Sequence, residues 1–227
     1  MTMEILGGSV SLEWGGESLT LLPERAVWWA RESTLFIADP HFGKASAFRH
    51  AGIAVPETSH SDDLVRLAMA LSRTGAKRLV ILGDFFHAKT GRSETTLSEL
   101  AAWRGQRPDL AIILVPGNHD RHAGGPPEDW RIECVTDPWF LGPFACVHEP
   151  QEVTHRFVLA GHLHPSFGLR ERIGSGLHGP CFFFGRRVAV LPAFGTFTGT
   201  HPVKPKRGDR VFLTGEDQVI DVSGTIR

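Results

Sequence analysis

Apolar and polar positions alternate near the start of the chain: Val10, Leu12 and Trp14 share one face, Gly15-Gly16 supplies a turn, and Leu19 and Leu21 resume the alternation. This period of two predicts a β-hairpin with one buried face. Short apolar runs rich in Leu, Ile, Val and Phe follow at Leu35–Ala38, Leu79–Leu82, Ala111–Val115, Phe144–Val147 and Phe157–Ala160. Each has the length of a buried strand.

Between the first three runs the period becomes helical. Ser61 can cap a helix in which Leu64, Leu67, Ala68 and Leu71 follow the i, i+3, i+4, i+7 rule and Gly75 ends it. A second helix is expected from Ser93, with Glu94 in its first turn where the helix dipole favours an anion, Leu97, Leu100 and Ala101 on one face, and a stop near Gly105.

The order β-α-β-α-β predicts a partly parallel sheet. The strand-rich remainder, through Cys181–Phe184, Val188–Leu191 and Val211–Leu213, predicts antiparallel strands in a second sheet. The expected class is α/β, two sheets flanked by helices. Trp28, Trp29 and Phe182–Phe184 are assigned to the core. Gly124–Pro127 reads as a surface loop and Pro202–Arg207 as a basic turn; neither divides residues 1–227, so one domain is expected.

Composition changes this picture in three ways. With Lys+Arg 24 against Asp+Glu 25, the net charge of −1 supplies no overall pull toward nucleic acid or an acidic membrane, so any such binding must be local. Cys134, Cys146 and Cys181 form no CxxC pair and leave one thiol over, which argues for a reducing compartment. Met1 to Gly8 lacks a basic segment followed by an apolar one, and no run approaches the ~18 apolar residues of a membrane span. A cytoplasmic protein with no membrane partner is expected. The 12 histidines point toward metal or acid–base chemistry.

That chemistry gathers where the buried strands end. The exits read Asp39-Pro40-His41, Gly83-Asp84, Gly117-Asn118-His119-Asp120, His148 and Gly161-His162-Leu163-His164. Functional groups of open α/β sheets collect at the carboxyl ends of their strands, so these exits form one candidate site. Two divalent cations ~3.5–4 Å apart require a bridging carboxylate with oxygen and imidazole ligands on either side. The set supplies both and contains no thiolate, which suits manganese first, with iron and zinc as alternatives. A single such motif is more often turn chemistry; the ordered set argues for ligands.

The order D-x-H, G-D, G-N-H-D, H, G-H-x-H resembles the calcineurin-like metallophosphoesterase superfamily. The resemblance implies a four-layer α-β-β-α sandwich of two mixed sheets. It further implies that Asp39, His41 and His164 hold one metal, that Asn118, His148 and His162 hold the other, and that Asp84 bridges them. His119 would stabilise developing charge or protonate the leaving oxygen, Asp120 would orient His119, and a metal-bridging hydroxide would attack phosphorus in line.

The longer stretches F-I-A-D-P-H-F-G-K, L-G-D-F-F-H, V-P-G-N-H-D, L-A-G-H-L-H-P and L-P-A-F-G are similar to the bacterial ligase-associated DNA damage response endonuclease family. That likeness implies a phosphodiesterase acting on DNA in a repair setting, in association with a ligase or helicase. The alternatives are a phosphodiesterase or phosphomonoesterase on a small nucleotide or other ester, and a non-catalytic scaffold. Backbone phosphates would be met by Lys44, Arg49, Lys89, Arg92, Arg121 or the Lys204, Lys206, Arg207 cluster. His87, three residues after Asp84, is placed to reach the metals or the substrate.

Overall fold

The structure is a computed structural model that describes residues 7–55, 59–169 and 177–226; Met1–Leu6 and the side chains of Ser59–Ser61 lie outside what it describes. The hairpin forms as its alternation predicts: β1 (Val10–Trp14) pairs antiparallel with β2 (Glu17–Leu22), Trp14 opposite Glu17. β3 (Ala26–Trp29) then pairs with β2 on one side and with β4 (Thr34–Ile37) on the other. It shows no alternation because residues on both of its faces are covered.

β5 (Arg78–Leu82), β6 (Ala111–Val115) and β7 (Ile132–Cys134) continue the sheet in chain order, each parallel to its predecessor from β4 onward. Their carboxyl ends therefore share one edge.

Among the described residues four α-helices accompany these strands: α1 (Lys44–His50), α2 (Ser59–Thr74), α3 (Glu94–Gly105) and α4 (Asn118–Ala123). α2 begins at Ser59, so Ser61 falls inside its first turn and is not the cap. Its buried face carries Leu64, Leu67, Ala70 and Leu71, and Gly75 N–H closes on the Leu71 carbonyl at 2.9 Å.

Ser93 caps α3 as expected, accepting from Thr96 N–H at 3.3 Å. The inward stripe of α3 is Thr96, Leu100 and Arg104, with Ala101 exposed. Arg104 sets that rotation, since its Nε donates to the Trp130 carbonyl at 2.6 Å. α1 and α4 carried no periodic signal; α1 is a short helix just after Asp39-Pro40-His41, and α4 is a short helix that begins at Asn118 within its motif.

The second sheet holds β8 (Trp139–Leu141), β9 (Phe144–Cys146), β10 (Phe157–Ala160), β11 (Pro165–Leu169), β12 (Leu177–Phe184), β13 (Val188–Val190), β14 (His201–Pro202), β15 (Arg210–Thr214) and β16 (Val219–Asp221). It is mixed rather than antiparallel throughout, because β10 runs parallel to both β9 and β13. Residues 147–156 carry the chain back to the starting edge, as a parallel pair demands. β9 and β10 consequently end together.

Leu12, Leu21, Trp29, Phe36, Val80, Phe144, Phe182 and Phe212 fill the space between the sheets. Burying each of those aromatic rings contributes roughly 1.5–3 kcal/mol, which presses the layers together. Leu67 of α2 and Leu100 of α3 pack on Leu35, Ile37, Leu79 and Ile81 across the other face of the first sheet. The cover of the second sheet is thinner: Val153 of the 147–156 connection, and Val222 and Ile226 flanking a 3-10 turn, Ser223–Thr225. Among the described residues no helix is long and apolar enough to cross a membrane. At the ligand edge the sheets meet through a parallel bridge between Ala38 and Ala193.

Candidate metal centre

Asp39, His41, Asp84, His162 and His164 all adopt positive φ, between +46° and +69°. Left-handed backbone costs a non-glycine residue about 1–3 kcal/mol and persists only where neighbours enforce it. Here they do. His41 N–H donates to the Asp84 carbonyl at 2.9 Å, His162 N–H to Asp39 Oδ2 at 2.7 Å, and His119 N–H to Asp84 Oδ1 at 2.9 Å. The strand-exit turns thus tie one another down.

The glycines of two motifs are required by close approach. A Cβ on Gly83 would overlap the His148 ring, and one on Gly117 would overlap the Asp84 carboxylate.

The side chains converge in two groups that share Asp84. In the first, His41 Nε2 lies 3.3 Å from His164 Nε2 and 3.7 Å from Asp84 Oδ2, and His164 Nε2 lies 3.7 Å from Asp39 Oδ2. In the second, Asn118 Oδ1 lies 2.9 Å from His148 Nε2 and 3.1 Å from His162 Nδ1, and His148 Nε2 lies 3.5 Å from Asp84 Oδ1. The two Asp84 oxygens therefore face different groups.

Backbone carbonyls fix two of the rings. His148 Nδ1–H donates to Leu82 O at 3.1 Å and His164 Nδ1–H to Gly199 O at 3.1 Å, which leaves each Nε2 lone pair aimed inward.

His119 stands at the rim with its side chain about a third exposed, 36%, and its Nε2 4.0 Å from Asp84 Oδ2. Its Nδ1–H donates to the His87 carbonyl at 2.7 Å. Among the described residues no hydrogen bond joins Asp120 to His119. That carboxylate turns inward and accepts from Gly117 N–H at 2.9 Å and Phe86 N–H at 3.3 Å. The reason is local: Asp120 is the third residue of α4, where a carboxylate naturally reaches back to the N–H before the helix.

The family model of the calcineurin-like phosphoesterases matches residues 33–166, more than half of the chain. The chain belongs to the calcineurin-like phosphoesterase family. A crystal structure of Pseudomonas putida nuclease MPE is 40% identical, covers 93% of this chain and all of its own, and superposes with a TM-score of 0.82. No curated protein matches the chain. The protein is a metal-dependent phosphoric ester hydrolase built on two mixed sheets.

The electrostatics of the phosphoesterase site fit cations. Burial, reinforced by the charge of Asp84, holds the Asp39 carboxyl well above its ordinary range. Burial, then the neighbouring His164, Lys44, His119 and His87, drives His41 far below the usual imidazole value. Burial likewise lowers His164 and His87 to about 4. The imidazoles are thus held neutral with lone pairs free while two carboxylates crowd together, an arrangement that positive ions relieve. Asp39 Oδ1 and His41 Nδ1 are buried with no hydrogen-bond partner among the described residues. Thiolates take no part: burial raises Cys181 to about 12 and raises Cys146 as well.

Of the candidate cations, Lys44 sits beside the centre, its pKa lowered by burial and opposed by Asp84. Arg92 is committed elsewhere, stacked on Phe86 and donating to the Ala123 and Gly125 carbonyls at 3.2 and 2.8 Å. Lys89, Arg121, Lys204, Lys206 and Arg207 are exposed. His87 stacks on His119 at 5.0 Å between ring centroids and lies 5.4 Å from the His41 ring.

Two supporting carboxylates carried no sequence signal. Asp63 accepts from Thr196 N–H at 3.0 Å and pairs with Arg66 at 2.7 Å, anchoring the loop whose Gly199 carbonyl holds His164. Asp137 Oδ2 accepts from His148 N–H at 3.0 Å.

Proposed function

We propose that this phosphoesterase is a two-metal phosphodiesterase that cleaves nucleic acid, with DNA as its substrate. The observation that carries the reading is the split of Asp84, one oxygen toward His41, which meets His164, and the other toward His148, which meets Asn118. The nuclease at 40% identity supports the polymeric substrate.

Asp39, His41 and His164 would hold one ion, Asn118, His148 and His162 the other, and Asp84 both. When bound, two such cations lower the pKa of water toward neutrality and neutralise charge on the phosphoryl oxygens. An all-oxygen-and-nitrogen donor set favours manganese, then iron or zinc.

The chain's own residues do the rest. His119, held at Nδ1 by a carbonyl that can only accept, presents Nε2 to the leaving oxygen and delivers a proton there, an effect typically worth ~10²–10⁴-fold. Lys44 supplies positive charge beside the incoming phosphate. Asp120 keeps the Gly117 turn and α4 in place. A repair setting rests on the family resemblance, and a cytoplasmic location on three cysteines that form no CxxC pair.

The test is hydrolysis of bis(p-nitrophenyl) phosphate and p-nitrophenyl phosphate by manganese-loaded protein, with EDTA and Asp84→Asn controls, followed by single- and double-stranded DNA. Diester hydrolysis lost in both controls, with DNA cleavage, supports the reading in full. A clear preference for the monoester would sink the diesterase, and inactivity with every divalent metal would return the scaffold.

A further inference from the structure

Phe197 is a large apolar side chain left in water, 40% exposed, one of two such phenylalanines among the described residues. An isolated exposed ring needs no explanation, but this one terminates a row. Its centroid lies 5.4 Å from Phe48; Phe48 lies 5.9 Å from His87; and His87 stacks on His119 at 5.0 Å. The row runs from the rim to the proposed proton donor without leaving aromatic contact. Phe197 and His41 also line one small crevice, together with Pro40, Lys44 and Thr198.

The backbone makes Phe197 a fixed feature. Its loop starts where Phe194 N–H donates to the Ala38 carbonyl at 2.7 Å and Gly195 N–H to the Asp39 carbonyl at 3.2 Å, and is held again at Thr196 by Asp63. Two residues beyond Phe197, the Gly199 carbonyl fixes His164. Phe48 projects from α1, one turn after Lys44, whose Nζ lies 5.9 Å from the Phe48 ring centroid. A cation for phosphate and a flat apolar face therefore stand side by side next to the proposed reaction centre, which is what a nucleotide presents in mirror image.

We propose that Phe197, backed by Phe48, stacks the nucleobase flanking the scissile phosphate and so sets the preference for nucleotide diesters. The inference rests on the nucleic-acid reading above. Stacking on an aromatic side chain tolerates every base, so it confers affinity and register without sequence preference.

The experiment uses a thymidine oligonucleotide in which one abasic residue is moved stepwise past a mapped cleavage position, with wild type, Phe197→Ala and Phe197→Trp, each checked for metal content. An abasic residue at the flanking position should lower wild-type kcat/KM by about 5- to 150-fold, mainly through KM. Phe197→Ala should show the same loss on the intact strand and no further loss on the abasic one, and Phe197→Trp should restore it. Equal losses for Phe197→Ala on both strands, or indifference of the wild type to the abasic residue, would overturn the stacking while leaving the nuclease intact. Wild type that hydrolyses bis(p-nitrophenyl) phosphate but no oligonucleotide would overturn the nucleic-acid reading and the stacking with it.

Discussion

His119 donates its Nδ1–H to the carbonyl of His87 across 2.7 Å, and that one bond fixes which nitrogen faces the chemistry. Because a carbonyl cannot donate, Nδ1–H is the donor in this bond, and Nε2 is the nitrogen that faces the centre. The stacking of the His87 ring on His119, 24° between planes, limits ring rotation further. In the proposed function His119 is the group that moves a proton, although its ring also stands with those of His41 and His87 in a cluster that could hold a cation.

Asp84→Asn and His119→Ala should consequently fail in different ways. Asparagine at 84 loses the charge that both donor groups share, so bound metal should fall together with activity. His119→Ala should retain metal and lower kcat by about 10²–10⁴-fold. Elemental analysis beside steady-state kinetics checks this, and metal loss from His119→Ala would assign that ring to the metal shell.

Asp120→Ala should act on stability first. Its carboxylate satisfies Gly117 N–H and Phe86 N–H in a buried position, and stranding those donors costs about 1–3 kcal/mol. A fall in Tm of at least several degrees is expected. An unchanged Tm with a large loss in kcat would instead mean that Asp120 does act on His119.

Gly83→Ala should dismantle the second donor group, because the new methyl occupies the space of the His148 ring. The expected result is protein with reduced metal content and lowered Tm. Substitution at Gly16, where a Cβ meets open space, controls for the general effect of replacing a positive-φ glycine, since both positions share that strain. Equal metal retention by the two variants would refute the steric account.

The pH dependence of the metal-free protein follows from His164 and His87, held near 4 in the fold against about 6.5 when unfolded. Between those values the unfolded chain binds more protons, so the stability they contribute is complete above 6.5 and is lost as pH falls toward 4. His41, lowered further, acts in the same direction; Asp39 and Asp120, raised, act oppositely. Protons also compete with cations for the same imidazoles. The Tm increment produced by manganese should therefore shrink from pH 7.5 to pH 5, as followed by thermal melts with and without EDTA. A constant increment would remove the histidines from the metal site.

Much of the fold was legible along the chain because its signals are local. The hairpin at Gly15-Gly16, the runs that became β4, β5, β6, β9 and β10, and the Ser93 cap each depend on neighbours within a few residues. Ligand types were legible for the same reason, since each motif sits at the end of one strand. β3 was not, because strand pairing on both sides rather than alternation defines it. The parallel placement of β10 was also illegible, because nothing in residues 157–160 states which strands will flank them.

What the sequence determined by itself was the set of donor groups, their order, and the glycines that let them approach. What only the tertiary structure decided was which atom faces which. Asp84 divides its oxygens, His119 turns to the His87 carbonyl, Asp120 turns away from His119, and Asp63 reaches 133 residues along the chain to Thr196. These outcomes depend on side-chain direction and on contacts between distant segments, and a hydrogen bond made only after two sheets have packed leaves no periodicity in the chain that makes it.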